Sequence, residues 1–184
     1  TATKQAGFFG KALMKVGGGA FGWGLNDAIK QAYAALCEQY EAGDEIFIFG
    51  FSRGAYTARS LAGMIRKCGI VRVEIAYLGI WDTVGSLGIP APLLGPVANL
   101  WNAKYRFHDT ILSSMVKSAR HAVALDERRG FYKPSLWDNL EASRDDAGLN
   151  KGDRTEARPY QQVWFTGNHA IVGGSAAKAR ALTG

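Results

Sequence analysis

Cysteine, histidine and uninterrupted apolar stretches are all scarce in this sequence. Its 184 residues include two cysteines, Cys37 and Cys68, and three histidines, so a disulfide framework is excluded and no Cys/His cluster indicates a metal site. No apolar run reaches the roughly 18 residues that a membrane-spanning helix needs. We therefore expect no metal or cofactor, two reduced and buried thiols, and no more than peripheral contact with a membrane.

Basic residues outnumber acidic ones by 22 to 16, which gives a formal charge of +6. Such a charge favours anionic partners, either phospholipid head groups or nucleic acid, or simply a solvated basic surface. The basic residues are scattered, and no zinc-finger spacing or RNA-binding aromatic motif occurs, so we expect no nucleic acid partner. Residues 7–16 are interrupted by Lys11 and Lys15 and precede no cleavage site. We expect a protein made in the cytoplasm without a signal peptide.

Two segments have the apolar spacing of helices. The first is ended by Gly43, and the second begins just beyond Ser52 and is stopped by Gly69. The residues that form the two apolar stripes are Leu25, Ala28, Ile29, Ala32 and Leu36 in the first, and Ala55, Ala58, Leu61, Ala62 and Ile65 in the second. The small side chains of the second stripe predict close packing on a sheet.

Short apolar, β-prone runs predict strands over residues 45–50, 74–81 and 162–166. Residues 110–125 fit either a helix or a strand, and the charged residues 138–158 suggest a disordered loop. Strands that alternate with helices predict an α/β fold with a mostly parallel sheet. Because only three or four strands are found, we expect an abbreviated sheet.

The pentapeptide Gly50-Phe51-Ser52-Arg53-Gly54 lies between a predicted strand and a predicted helix. A serine at the tip of such a turn exposes its hydroxyl, and a glycine two residues away on each side lets the two backbones approach. The next N–H and the helix N-terminus point toward the oxyanion of an attacked carbonyl. Ser52 is therefore the candidate nucleophile and Arg53 the candidate oxyanion donor, with a tight structural turn as the alternative.

A nucleophilic serine on this turn needs an acid and then a histidine later in the chain. Asp82 ends the predicted strand 74–81, where a carboxylate can point into the catalytic crevice, and His169 follows the last predicted strand. These residues and Ser52 form the candidate triad. The alternatives are a turn aspartate for Asp82 and an ordinary loop histidine for His169, in which case His121 is the first substitute base.

Several sequence blocks resemble those of one family. They are, in chain order, residues 18–25, 50–59, 78–85, 119–129 and 163–165. Together they closely resemble an α/β-hydrolase-like domain family that includes phospholipase effectors of bacterial type VI secretion. The resemblance covers most of the chain and implies an esterase or lipase that hydrolyses glycerophospholipid acyl bonds, with Ser52, Asp82 and His169 as its triad.

The resemblance carries further expectations. It implies an antibacterial effector delivered by type VI secretion to the periplasm or membrane of a target cell. Its implied partners are a phospholipid surface, an immunity protein and a protein of the secretion apparatus.

A lipid substrate suggests a role for one apolar loop and for residues near the nucleophile elbow, which is the turn at residues 50–54. Residues 89–101, with Leu93 and Leu94, are a candidate lid or interfacial anchor, and the alternative is that neighbouring elements bury them. Phe51 and Arg59 are candidate substrate contacts. Arg53 and Arg59 either bind a phosphate or pair with a carboxylate such as Asp44.

Three features depart from the family pattern. The opening strand that ends in Asp-Gly-Thr is absent, residues 69–74 join helix to strand abruptly, and the block at His169 lacks the aspartate of the usual His-x-Asp-x-Gly-Gly. We therefore expect one catalytic domain over residues 1–184, incomplete at its N-terminus and with missing loops, in which Asp82 is the better-supported acid. The alternatives to a lipase are a hydrolase of another ester and a non-catalytic, partner-binding remnant.

Overall fold

The computed structural model describes residues 23–68, 73–84, 111–141, 143 and 146–174. Its elements are helix α1 (Trp23–Gln39), strand β1 (Ile46–Phe51), helix α2 (Arg53–Cys68), strand β2 (Ile75–Trp81), strand β3 (Ala119–Ala124), a 3-10 turn (Gly130–Tyr132), strand β4 (Tyr160–Phe165) and the short helix α3 (His169–Val172). The three predicted strands are confirmed to within two residues at each end. Neither of the two long helices in this part of the chain combines the length and the apolar composition needed to span a membrane.

The four strands form one sheet in the order β1-β2-β3-β4, and each neighbouring pair is parallel. This arrangement confirms the predicted α/β fold of abbreviated size. Since all the strands run in one direction, their carboxyl ends lie at the same edge of the sheet. Ser52 and Asp82 directly follow β1 and β2, and His169 follows β4 by a few residues, so the topology brings them toward this edge.

Helix α2 packs on one face of the sheet through the small side chains of its predicted stripe. Ala55, Ala58, Ala62 and Ile65 are at most 4% exposed, and they belong to one core cluster with the isoleucines of β1 and β2 and with Leu78. Burying a side chain such as Ile65 stabilises the fold by about 1.5–3 kcal/mol. On the opposite face, Phe47 of β1 is more than half exposed, so in the described part of the chain the core lies on the α2 side.

Residues 138–158 are not the disordered loop that their charge predicts, in the part that the structure describes. Leu140 belongs to the core, and Asn150 is buried. The Asn150 side chain donates to the Tyr160 carbonyl over 2.9 Å and accepts the Tyr160 N–H over 3.2 Å. One leucine and one amide therefore attach a charged loop to the start of β4, which composition alone does not reveal.

The prediction that both thiols are buried is also wrong, because Cys37 and Cys68 are free and exposed. Helix α1 turns Ile29, Tyr33 and Leu36 toward the core, and Cys37 lies at the flank of that face. Cys68 is the last residue of α2. An apolar helical segment thus does not decide which side of the helix a cysteine takes.

Candidate active site

Ser52 occupies the sharp turn between β1 and α2. Its φ is +57°, a left-handed backbone conformation that costs a non-glycine residue on the order of 1 kcal/mol. The Ser52 N–H donates to the Trp81 carbonyl over 2.9 Å, which ties the turn to the end of β2. Because a strand ends on one side of the serine and a helix begins on the other, the strained conformation is held in place. The Ser52 hydroxyl therefore stands at the carboxyl edge of the sheet.

Gly50 allows the strand and the helix to approach at this turn, and its replacement tests the approach. A Cβ atom at Gly50 would overlap the Gly54 carbonyl group and lie 2.7 Å from the Ala55 Cα atom. Because these are backbone atoms, we expect Gly50→Ala to destabilise the protein by about 1–3 kcal/mol. Thermal unfolding followed by circular dichroism measures the change. In the control Gly130→Ala, the new Cβ meets no atom within 4 Å, and equal midpoints for the two variants would contradict the close approach.

Ser52, His169 and Asp82 form one line of hydrogen bonds. The Ser52 hydroxyl donates to His169 Nε2 over 2.8 Å, and His169 Nδ1–H donates to Asp82 Oδ2 over 2.7 Å. An ionised carboxylate can only accept, so the imidazole hydrogen lies on Nδ1 and Nε2 is left as the acceptor. The fold thus brings together three side chains whose two bonds span 117 and 87 residues of sequence.

Asp82 is held from a second direction as well. Its side chain is fully buried, and its Oδ1 atom accepts the Ala124 N–H over 2.9 Å at the end of β3. The Asp82 N–H donates to the Ala122 carbonyl over 2.7 Å, and its φ of +40° turns the chain out of β2. The carboxylate therefore bridges β3 and His169, and its role as the acid of a triad stays a prediction.

Two aromatic rings and one carboxylate surround His169. The rings of Phe51 and Tyr132 both lie 4.7 Å from the imidazole centroid to centroid, and Glu127 Oε2 accepts the His169 backbone N–H over 3.2 Å. Phe51 thus packs against the histidine, and its contact with substrate stays a prediction. Glu127 and Tyr132 are absent from the predicted site. The charged run 126–129 was a signal for the glutamate, whereas nothing in the sequence pointed to the tyrosine.

The two arginines of the predicted site, Arg53 and Arg59, both lie on α2. Arg59 is buried, its guanidinium donates to the Ser135 carbonyl over 2.6 Å, and it lies 5.5 Å from the centre of the Trp137 ring. These contacts attach the segment 135–137 to α2, and a phosphate ligand for Arg59 stays an untested prediction. Arg53 is the first residue of α2, so its N–H belongs to the helix turn that faces the elbow. Its oxyanion role likewise remains a prediction.

The predicted lid over residues 89–101, with Leu93 and Leu94, lies outside the described residues. Its two roles, as a cover for the site or as an interfacial anchor, therefore stay predictions.

His121 is buried beside Thr83. Its Nε2 atom accepts the Thr83 N–H over 3.3 Å, and Nδ1–H donates to Gln162 Oε1 over 2.9 Å. The same oxygen accepts the Trp137 N–H over 2.9 Å. Burial lowers the pKa of His121 to about 4, so the ring is neutral at pH 7. His121 thus supports the chain next to Asp82, while His169 bonds to Ser52.

The lowered pKa of His121 predicts a loss of stability in mild acid. His121 binds a proton near pH 6.5 in the unfolded chain but only near pH 4 in the folded chain. The free energy of unfolding is therefore highest above pH 6.5 and falls as the pH drops toward 4. We expect His121 to lower the free energy of unfolding by about 3 kcal/mol over this pH range. Urea unfolding at several pH values measures it. His121→Gln keeps an acceptor for Thr83 but cannot titrate, and an equal acid loss in this variant would contradict the assignment.

A parallel α/β sheet that carries a serine on a strand–helix turn, with a bonded histidine and aspartate from later segments, has the arrangement of the α/β-hydrolase class. The chain belongs to a particular family, the T6SS phospholipase effector Tle1-like catalytic domain. It matches the model of this family over residues 1–74 and 71–183. The two matches cover nearly the whole chain and meet inside the abrupt join at 69–74. The family resemblance is therefore confirmed.

The chain is also similar to two proteins whose descriptions give no function. YEL023C of Saccharomyces cerevisiae, described as uncharacterized, is 30% identical in an alignment 158 residues long, and the match covers 61% of this chain and 21% of the yeast protein. The crystal structure of an uncharacterized protein from Pseudomonas aeruginosa is 22% identical with a TM-score of 0.41, and the match covers 79% of this chain and 21% of that one. The chain thus spans about one fifth of the length of these relatives.

Proposed function

We propose that this chain is a serine esterase domain of the phospholipase A type, which hydrolyses acyl ester bonds of glycerophospholipids. The observation that carries the proposal is the line of hydrogen bonds from Ser52 through His169 to Asp82, on a strained strand–helix turn. Membership of a phospholipase effector family supports the lipid substrate, which the geometry of the three side chains does not specify.

In the proposed mechanism, His169 Nε2 takes the hydroxyl proton as Ser52 Oγ attacks the ester carbonyl carbon. Asp82 keeps the hydrogen of His169 on Nδ1 and stabilises the imidazolium that forms. The oxyanion of the tetrahedral intermediate is stabilised by the Arg53 N–H and by the N-terminus of α2. The imidazolium then gives its proton to the departing alcohol oxygen of the lysophospholipid.

The acyl-enzyme that remains is released by a second passage through the same groups. His169 Nε2 takes a proton from water as the water oxygen attacks the acyl carbon on Ser52. Collapse of the second tetrahedral intermediate returns that proton to Ser52 Oγ and frees the fatty acid. The cycle therefore consumes one water for each ester bond.

We also propose that the domain acts at a phospholipid surface without spanning it. Four large apolar side chains near the carboxyl ends of the later strands are between 46% and 57% exposed: Leu125, Trp164, Phe165 and Ile171. Arg128 and Lys133 are exposed in the segment that follows β3 and would meet anionic head groups. These features support peripheral binding close to the site, since apolar side chains insert between lipids while cations attract their phosphates.

For the whole protein, we propose delivery by type VI secretion to the periplasm or membrane of a target cell. The corresponding partners are an immunity protein and a protein of the secretion apparatus. This proposal rests on the family description alone.

Product analysis tests the proposed activity. Vesicles of mixed phospholipids are incubated with the protein, and the products are identified by mass spectrometry. We expect fatty acid and lysophospholipid with the wild type and neither with Ser52→Ala. Cleavage of water-soluble esters alone would overturn the phospholipase proposal in favour of another ester hydrolase. A folded wild type that cleaves no ester and does not react with a fluorophosphonate probe would indicate a non-catalytic module.

A further inference from the structure

His169 depends on contacts from other segments for its position. It is the first residue of α3, which has only four residues, and so short a helix has little stability of its own. Asn168 caps the helix, since its side-chain oxygen accepts the N–H groups of Ala170 and Ile171. This cap orders the backbone of α3 but does not attach it to the rest of the domain. That attachment comes from anchors in other segments, among them the Asp126 carboxylate, which accepts the Gly167 N–H over 2.6 Å.

The Glu127 side chain provides such an anchor. It is 2% exposed, and its Oε2 atom accepts both the His169 backbone N–H over 3.2 Å and Arg129 Nη2 over 2.7 Å. Its Oε1 atom accepts the Arg129 backbone N–H and Nε, each over 2.8 Å. Four donors thus fix both oxygens of one carboxylate. The Arg129 guanidinium, as the main cause, lowers the pKa of Glu127 to about 2, so the carboxylate is ionised at neutral pH.

A second connection runs from the same carboxylate to the imidazole ring. The Arg129 guanidinium lies 4.2 Å from the centre of the Tyr132 ring, and that ring lies 4.7 Å from the imidazole of His169. A guanidinium over an aromatic face is attracted to it, so Arg129 favours this position of the Tyr132 ring. Glu127 therefore acts on His169 at two points, directly at the backbone and through Arg129 and Tyr132 at the side chain.

We propose that Glu127 is a positioning residue, which holds the imidazole of His169 in line with Ser52 and Asp82. The proposal rests on the proposed function, because the line is useful only if His169 serves Ser52 as a base. Glu127 touches no reacting atom, so its loss should change the geometry of the site and leave its chemical groups present. A displacement of about 1 Å in such a site costs on the order of 10²-fold in rate.

The test compares Glu127→Ala with the control Glu74→Ala. Glu74 also forms an ion pair, with Lys117 over 2.6 Å, but both of these side chains are more than 60% exposed. For Glu127→Ala we expect kcat on a soluble ester to fall about 10- to 100-fold with KM within about threefold of the wild type. For Glu74→Ala we expect the wild-type constants, because that pair lies at the other end of the strands. Wild-type kcat in folded Glu127→Ala would overturn the proposal.

A spectroscopic measurement separates this proposal from the proposed function. The His169 Nδ1 proton that bonds to Asp82 should give a far-downfield proton NMR resonance. We expect it in the wild type and in Glu74→Ala, and we expect it to be broadened or lost in Glu127→Ala. An unchanged resonance would overturn the positioning role whether or not any ester is cleaved. If the wild type shows the resonance but has no esterase activity, only the proposed function fails.

A conservative variant covers the case in which Glu127→Ala does not fold. Glu127→Gln keeps an oxygen for the His169 N–H but loses the charge and the paired contact with Arg129. We expect an intermediate kcat and a partly broadened resonance for this variant. Wild-type values for both measurements in Glu127→Gln would overturn the route through Arg129 and Tyr132.

Discussion

Ser52→Ala is expected to lower kcat for ester hydrolysis by on the order of 10⁴–10⁶ and to leave the fold intact. In the proposed mechanism the Ser52 hydroxyl oxygen forms the acyl bond, and the methyl group of alanine cannot form it. Alanine at a φ of +57° carries nearly the same backbone strain as serine, so the turn should persist. The thermal unfolding midpoint should therefore stay close to that of the wild type.

The measurement pairs kinetics with covalent labelling. A fluorophosphonate probe should label the wild type at Ser52 and leave Ser52→Ala unlabelled. Ser143→Ala is the matched control, because Ser143 is an exposed serine in the loop before β4 and should not affect labelling or kcat. If Ser52→Ala hydrolysed the substrate at the wild-type rate, another residue would have to be the nucleophile.

The second large effect is expected for Asp82→Asn, with a loss of on the order of 10⁴ in kcat. The Ala124 N–H holds one oxygen of the side chain, so the amide nitrogen of asparagine would face His169 Nδ1. A donor at this position drives the imidazole hydrogen to Nε2. That nitrogen then cannot accept the Ser52 proton, although the three side chains keep their places.

Steady-state kinetics of Asp82→Asn and Asp138→Asn check this prediction. Asp138 is exposed, and its replacement removes the same charge at a surface position, so kcat should stay near the wild-type value. A loss of less than about tenfold in Asp82→Asn would indicate that a different acid orients His169. This outcome would leave the serine and histidine assignments open to their own tests.

The local sequence was sufficient to predict the strand–turn–helix elbow at Ser52. Gly50, Ser52 and Gly54, with an apolar run before them and small residues at helical spacing after them, predicted a strand, a turn and a helix, and the structure has β1 and α2 at these positions. Such a turn can be predicted because its requirements are local. The close backbone approach needs glycine, and the adjoining elements need only short-range periodicity.

Residues 110–125 show where local patterns are insufficient. Within them, Ala119–Ala124 is the strand β3, although alanine has a low preference for strands. The segment is extended because it pairs with β2 on one side and β4 on the other. The described part of the loop 138–158 was mispredicted for a related reason, since its order comes from contacts of Leu140 and Asn150 with distant residues.

The sequence by itself determined which groups were available: a serine on a glycine-flanked turn, a later aspartate after a strand and a histidine after the last strand. Only the tertiary structure decided that Ser52, His169 and Asp82 lie within hydrogen-bond distance, because their two bonds span 117 and 87 residues and depend on strand order. It also decided the places of His121, beside Thr83, and Glu127, beside His169. Residue type and order define chemical capacity, whereas contact between distant residues depends on how the sheet is assembled.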